Sequence, residues 1–155
     1  TYDELIKAAH IEKPNNLAKA NIKPRLRMTT LYYYAGSYNY LVLGSSNKSE
    51  FTVGYFTKHG DSGVDLLPIA YFPKRDVWEM ARYLGIPKEI IEKAPTAGLW
   101  EDQTDEDEMG FGYDVLDDYI LYKKGPKDLV EKIERMHRIS EHKRSFPPIF
   151  VPQNE

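Results

Sequence analysis

The stretch YLVLGSSNKSE, residues 40–50, joins a short apolar run to a polar turn that opens a helix. Residues 40–43 are continuously apolar and end at Gly44, a pattern typical of a strand buried on both faces of a parallel sheet. Ser46 is placed to cap a helix over residues 47–55. In open α/β sheets, ligands bind beyond the carboxyl ends of strands, where a helix N-terminus offers N–H groups to phosphate. The stretch therefore predicts an α/β fold with a ligand site at this turn.

The turn itself carries groups suited to a nucleotide. Ser45 adds a hydroxyl, Lys48 a positive charge, and Glu50 a carboxylate suited to Mg²⁺. A strand–turn–helix connection with a serine cap explains the same residues equally well, because the stretch matches neither of the common glycine-rich phosphate motifs. The local sequence leaves both interpretations open.

Helical patterns flank this stretch on both sides. Thr1 and Glu4 read as a capping box for a helix over residues 2–10, and a second helix is predicted from Pro24 to near Gly36. Further along the chain, the patterns predict helices over residues 74–84, 86–93, 113–123 and 126–143, a solvated acidic loop over 101–108, and an extended tail over 146–151.

A single buried strand among so many helices poses a problem. Its backbone N–H and C=O groups need partner strands, because they cannot stay unpaired away from water. Residues 66–70 form a second apolar piece, but Pro68 weakens it as a strand. Either strands escape detection, or the rest of the sheet lies outside this sequence, which opens on Thr1 rather than Met.

Composition excludes several classes of protein. The 155 residues have the length of one domain, and a net charge of −3 argues against sequence-independent nucleic-acid binding. No apolar run approaches the roughly 20 residues of a membrane span, and no signal pattern opens the chain. Cysteine is absent, which excludes disulfides and Cys-ligated metal in this sequence. We therefore expect a cytoplasmic protein without a nucleic-acid or membrane partner.

A loop rich in Gly and Asp covers residues 57–65. Gly60 and Gly63 allow flexibility, and Lys58 and Asp65 place opposite charges in the loop. Such a loop can fold over a bound nucleotide and exclude water. An ordinary polar connection is the simpler explanation of this local pattern.

Cations occur at two further places. Arg25 and Arg27 lie two residues apart on a predicted helix and so point to different sides, which directs one of them to a ligand anion or leaves both in solvent. The cations of residues 142–144 complement the dipole of the preceding helix, and binding of a carboxylate or phosphate is the alternative.

The order of these stretches is more informative than any one of them. They are PRLRM (24–28), YLVLGSSNKSE (40–50), GYFTKHGD (54–61), Asp65 with Pro68, Lys74, KAPTAGLW (93–100), Gln103 with Asp105 and Glu106, and EHKR (141–144). In this order and spacing, from about Asn21 onward, the chain resembles the C-terminal portion of the ammonia-dependent NAD synthetases, members of the N-type ATP pyrophosphatase family.

The resemblance implies a fold and an activity. The fold is an open, mostly parallel sheet flanked by helices, Rossmann-like and similar to adenine-nucleotide hydrolases, here lacking its N-terminal strands. The activity is that of a ligase, the ATP-dependent amidation of deamido-NAD with ammonia to NAD. It passes through an adenylated nicotinate and releases AMP and pyrophosphate, with ATP as co-substrate and Mg²⁺ as cofactor.

The resemblance also implies site residues at matching positions. Glu50 would bind Mg²⁺ and, with Lys74, serve catalysis. Ser45, which stands where the family often has Thr, would contact ATP together with Lys74 and Thr96. The residues implied to contact deamido-NAD are Arg25, Lys58, Asp65, His142 and Lys143.

One departure from the family is large. Its ATP-binding loop, a Ser-Gly-Gly-x-Asp-Ser pattern, does not occur in this sequence. Residues 1–155 are therefore expected to be the C-terminal portion of a single synthetase domain, inactive by themselves. Family members are homodimers, and the Tyr-rich helix over residues 31–38 would either form such an interface or pack against the sheet.

Two other functions stay open at this point. One is another ATP pyrophosphatase that adenylates a different acceptor. The other is a non-catalytic module that binds a dinucleotide or supports assembly. The loop over residues 57–65 and the cations at 142–143 favour the dinucleotide site over a generic ATP site.

Overall fold

A computed structural model describes residues 1–152 of the chain. Within these residues, nine α-helices and a short 3₁₀ helix follow one another. They are α1 (Tyr2–Ala8), α2 (Asn16–Ala20), α3 (Ile22–Tyr38), α4 (Lys48–Val53), α5 (Lys74–Tyr83), α6 (Lys88–Ile91), α7 (Asp105–Met109), α8 (Tyr113–Tyr122), α9 (Lys127–Ile139) and the 3₁₀ helix Glu141–Lys143. The tail over residues 146–151 forms neither helix nor strand. No helix of this described part is long and apolar enough to cross a membrane.

The core forms where α4, α8 and α9 pack together. Ile133 of α9 is completely buried, and Leu129 and Met136 pack beside it along the same face. This arrangement confirms the apolar face expected for the long helix, although α9 ends at Ile139 rather than near residue 143. The buried apolar residues of this core are Val53, Met109, Phe111, Tyr113, Leu116 and Ile133.

The predicted strand over residues 40–43 is extended chain with a single parallel β-bridge, from Leu43 to Leu66, in the described residues. The N–H of Gly44 donates to the carbonyl of Leu66 at 2.8 Å. Leu41 and Leu43 are 70% and 61% exposed, so the run is not buried on both faces. Because this edge has no further neighbouring strand in residues 1–152, the open parallel sheet stays a prediction.

Helix starts differ from the prediction at two places. The cap of α4 is Asn47 and not Ser46, because the Asn47 side chain accepts from the N–H of Glu50 at 3.0 Å. Glu50 accepts in return from the N–H of Asn47 at 3.1 Å, which completes a capping box. The capping box predicted at Thr1 is wrong, since Thr1 makes no side-chain cap bond.

Helix ends also differ from the prediction. Helix α4 stops at Val53, because Gly54 takes the left-handed conformation (φ 68°) that ends helices. Helix α3 runs past Gly36 to Tyr38 and ends at a left-handed Asn39. Gly36 therefore lies inside the helix that it was predicted to end.

The acidic run over residues 101–108 is a loop only in its first half, where Glu101 and Asp102 are exposed. Its second half enters α7, which Thr104 caps by accepting from the N–H of Asp107 at 3.2 Å. Asp105 and Met109 of this helix are buried. Burial of an acid in such a run is contrary to the expectation that all of its charges face water.

Candidate active site

A cleft with a volume of about 650 Å³ opens beside the turn that follows residue 43. Its walls come from distant parts of the chain: the turn at residues 43–46, α3, α4 and the loop after it, the region of α7, and residues 136–143. Of the predicted site residues, four line the cleft: Ser45, Glu50, His142 and Lys143.

Glu50 faces the cleft from the first turn of α4. Its Oε2 is held by the capping box, and its Oε1 lies 3.4 Å from the Nζ of Lys74. Burial raises the pKa of Glu50, and the charge of Lys74 opposes that rise. A largely buried carboxylate of fixed orientation thus faces the cleft next to one ammonium group.

Lys74 begins α5 and lies behind Glu50. Its Nζ is 5.1 Å from the ring centre of Tyr113 and 5.9 Å from that of Trp78, within the range of cation–π attraction. The side chain is 16% exposed. Lys74 therefore lies outside the cleft lining and is connected to the cleft by its contact with Glu50.

Asp105 is a cleft residue whose role the sequence patterns did not indicate. It is 5% exposed, and its Oδ2 accepts from the hydroxyl of Tyr113 at 2.9 Å. Its Oδ1 is buried and has no hydrogen-bond partner among the described residues. Burial raises the pKa of the Asp105 carboxyl, and the bond from Tyr113 opposes the rise. The Thr104 cap was the local signal that could have predicted the helix carrying Asp105.

The 3₁₀ helix closes the other end of the cleft. The Nζ of Lys143 donates to the carbonyls of Gly54 and Phe56, both at 2.7 Å. Burial lowers the pKa of Lys143. The Nζ of Lys58 donates to the carbonyl of His142 at 2.5 Å, so the loop after α4 is fastened to this helix at two places.

The remaining predicted residues lie outside the cleft lining. Arg25 is exposed, and its Nε donates to the carbonyl of Lys58 at 3.2 Å; Arg27 lines the cleft instead. Asp65 accepts from the N–H of Val42 at 2.8 Å. Thr96 is exposed, and its hydroxyl accepts from the N–H of Gly98 at 3.1 Å.

The carboxylates of the cleft are suited to Mg²⁺. No cluster of three or more acidic or histidine side chains in residues 1–152 forms a cation cage. Glu50 and Asp105 nevertheless place two carboxylates in the lining of one cleft, and the buried Oδ1 of Asp105 has no partner among the described residues. Mg²⁺ commonly binds through one or two carboxylates while phosphates and waters complete its octahedron. The donor set therefore fits a magnesium ion that arrives with a nucleotide.

A cleft that carries a fixed carboxylate beside an ammonium group is typical of proteins that bind a nucleotide together with a metal ion. The sequence profile of the NAD synthase family matches residues 1–147. The chain therefore belongs to the NAD synthase family, which confirms the resemblance derived from its motifs.

Curated relatives agree with this family. The chain is 58% identical over 144 residues to the NH(3)-dependent NAD(+) synthetase of Carboxydothermus hydrogenoformans, covering 93% of this chain and 59% of the relative. It is 54% identical over 153 residues to the protein of the same name from Finegoldia magna, covering 97% and 61%. The chain thus spans about three fifths of the length of these relatives.

Solved structures show the same fold. The NMN synthetase from Francisella tularensis superposes with a TM-score of 0.91 at 40% identity, covering 99% of this chain and 63% of that one. The NH3-dependent NAD synthetase from Campylobacter jejuni, solved with a nitrate ion, gives 0.72 at 29% identity, covering 97% and 61%. The chain therefore has the fold of the matching part of these two synthetases.

Proposed function

We propose that the full-length protein amidates deamido-NAD with ammonia at the expense of ATP. The observation that carries the proposal is the fixed pair of Glu50 and Lys74 on the cleft of a chain 58% identical to an NH(3)-dependent NAD(+) synthetase.

The first step forms an acyl-adenylate. A nicotinate carboxylate oxygen attacks the α-phosphorus of ATP, and the bond from that phosphorus to the bridging oxygen breaks, releasing pyrophosphate. Mg²⁺ supplies positive charge to the phosphates when bound. Glu50 would hold it, and Lys74 would keep Glu50 ionised and oriented. The cleft positions the reactants, which is the larger part of phosphoryl-transfer catalysis.

The second step forms the amide. The nitrogen of ammonia attacks the acyl carbon, the bond from that carbon to the AMP oxygen breaks, and the nitrogen loses a proton. The acyl-adenylate hydrolyses unless water is excluded. The loop after α4 lines the cleft and is held by bonds from Lys58 and Lys143, and in this proposal it covers the bound substrates.

The substrate contacts follow from the same proposal. Ser45 would donate its hydroxyl to ATP from the cleft lining, and Lys74 and Thr96 would contact ATP from beside it. The deamido-NAD contacts are proposed at the positions that the family resemblance implies: Arg25, Lys58, Asp65, His142 and Lys143. Two N–H groups of Lys143 already bond backbone carbonyls, which orients the third.

We also propose that the protein forms a homodimer and that residues 40–43 are one strand of the open parallel sheet. Tyr33, Tyr34 and Tyr38 are exposed along α3, and the rings of Tyr38 and Tyr40 stack at 5.7 Å. An aromatic surface of this kind is typical of protein interfaces.

The exposed Leu41 supports a neighbouring strand at the same edge. A cytoplasmic location stays a prediction.

A second function has specific support. The NMN synthetase fold matches this chain at a TM-score of 0.91, against 0.72 for the C. jejuni NAD synthetase. Amidation of the mononucleotide would use the same adenylation chemistry on a smaller substrate.

The two functions are separated by a substrate panel. The full-length protein is incubated with ATP, Mg²⁺, ammonium and either deamido-NAD or nicotinate mononucleotide, and AMP release and amide formation are measured. Higher kcat/KM for deamido-NAD supports the first proposal, and higher kcat/KM for the mononucleotide supports the second. AMP release with a different acceptor alone, or with none of the panel, contradicts both.

A further inference from the structure

A buried carboxylate outside the cleft joins three helices. Asp117 of α8 is 1% exposed. Its Oδ1 accepts from the hydroxyl of Ser49 in α4, and its Oδ2 accepts from the N–H of Arg75 in α5 at 2.8 Å. The Nε of Arg75 lies 3.6 Å from the same Oδ2. One side chain therefore bonds to the first turns of two other helices.

Ser49 extends this connection by one more bond. Its hydroxyl donates to Asp117 and accepts from the N–H of Lys74 at 2.9 Å. Helix α5 is preceded by Pro73, which makes no side-chain cap bond. The first N–H groups of a helix need acceptors, and negative charge near a helix N-terminus is favourable. Ser49 and Asp117 together provide for α5 the cap that its own sequence lacks.

The capped residues are neighbours of the proposed catalytic pair. Ser49 directly precedes Glu50, and the N–H bound by Ser49 belongs to Lys74 itself. The position of each partner in the Glu50–Lys74 pair, 3.4 Å apart, thus depends on one network centred on Asp117.

We propose that Asp117 is a positioning residue for the amidation reaction, holding Glu50 and Lys74 in register through Ser49 and the start of α5. The inference rests on the proposed function. Asp117 does not line the cleft and touches no substrate in this scheme.

Asp117→Asn in the full-length protein tests the proposal. An Asn side chain offers one oxygen, so either Ser49 or Arg75 loses its acceptor. A small displacement of catalytic groups can cost up to about 100-fold in rate. We expect kcat to fall roughly 10- to 100-fold, the Mg²⁺ concentration for half-maximal activity to rise about tenfold, and KM for deamido-NAD to stay within about twofold.

The matched control is the next residue. Asp118 contacts the same Arg75, with its Oδ1 2.6 Å from Nη2, but it is half exposed and bonds no backbone N–H of α5. Asp118→Asn should leave kcat and the Mg²⁺ requirement within about twofold of wild type, because exposed ion pairs contribute little.

A binding measurement provides a readout besides activity. Calorimetry with Mg²⁺ and ATP should show about tenfold weaker binding for Asp117→Asn and unchanged binding for Asp118→Asn. If Asp117→Asn does not fold, Ser49→Ala carries the test, since it removes only the link from Asp117 to Lys74.

The outcomes separate this inference from the function it rests on. Folded Asp117→Asn or Ser49→Ala protein with a lower melting temperature but wild-type kcat, Mg²⁺ requirement and nucleotide affinity would show a purely structural role and overturn the proposal. A wild-type protein that releases no AMP overturns the function and the positioning role together.

Discussion

Each of the two carboxylate oxygens of Glu50 has a fixed partner. Oε2 accepts the N–H of Asn47 and starts α4, while Oε1 faces Lys74. The helix cap thus fixes the orientation of the carboxylate that the proposed reaction uses. Loss of the carboxylate charge and loss of the cap hydrogen bond can therefore be measured separately with different substitutions.

Replacing Glu50 with Gln should remove the charge and keep the cap, because the amide oxygen can accept the same N–H. Loss of an electrostatic catalytic group costs about 10²–10³ in kcat. The free energy of unfolding should fall by only about 1–3 kcal/mol, from the unpaired Lys74. Pyrophosphate release and urea unfolding of the full-length protein measure the two effects. The exposed Glu79→Gln on α5 is the control, and wild-type turnover of Glu50→Gln at limiting Mg²⁺ would refute the metal role.

Tyr113 provides a second test at this scale. Its hydroxyl is bonded to buried Asp105, so Tyr113→Phe should lower the free energy of unfolding by about 1–3 kcal/mol. Tyr119 in the same helix donates to Glu134 at 3.1 Å in an exposed pair, and Tyr119→Phe should cost less than about 1 kcal/mol. Equal losses in urea unfolding would show that burial of the Asp105 bond does not matter.

At the scale of elements, two glycines differ in what a side chain would meet. Gly54 is required by packing, whereas Gly36 affects only the helix propensity of α3. An added Cβ on Gly54 would lie 2.2 Å from the Cβ of Ser140, and its φ of 68° disfavours a side chain. Gly36 lies inside α3, and an added Cβ there meets no atom within 4 Å. Glycine is therefore required at residue 54 by the packing of α4 on the end of α9, whereas residue 36 could carry a side chain.

Gly54→Ala should therefore destabilise the protein by roughly 2–4 kcal/mol, from the left-handed conformation and the overlap with Ser140. Gly36→Ala should stabilise it by about 0.5–1 kcal/mol, because alanine suits a helix interior better. Thermal and urea unfolding of both variants measure the pair. A neutral Gly54→Ala would contradict the close approach of α4 and Ser140.

Elements that are fixed by residues close together in the sequence could be predicted. Elements that depend on contacts with distant segments could not. The apolar face of α9 and the start of α5 after Pro73 are local patterns, and both were found. The choice of Asn47 over Ser46 as a cap was missed, because it depends on which oxygen reaches the N–H of Glu50. The strand over residues 40–43 depends on distant partners, which no local pattern supplies.

The candidate site was predicted in part for the same reason. Ser45 and Glu50 belong to one short motif, and both line the cleft. Asp105 was quoted for the family resemblance but not as a site residue, because six acids in eight positions look solvated, whereas this one is buried and bonded to Tyr113. Thr96 and Arg25 were assigned from their positions in the family motifs alone. In the described part of the chain, neither of them lines the cleft.

For the whole molecule, the exposed aromatic face of α3 leads to a test of assembly. Tyr34→Asp should weaken self-association of the full-length protein by at least about tenfold, because a charge replaces a ring in an apolar contact. Sedimentation equilibrium measures the dissociation constant. Tyr83→Asp on α5, where the tyrosine is 92% exposed, is the control. A monomeric wild-type protein, or an unchanged constant for Tyr34→Asp, would contradict the proposed homodimer.

The two bonds from Lys143 to the carbonyls of Gly54 and Phe56 also bear on synthesis by the ribosome. They connect segments almost ninety residues apart in the chain. Until the nascent chain has been extended to Lys143, the loop after α4 lacks both bonds and one wall of the cleft is absent. The cleft is therefore completed only when residues 140–144 have emerged from the exit tunnel, after the helices that form its other walls.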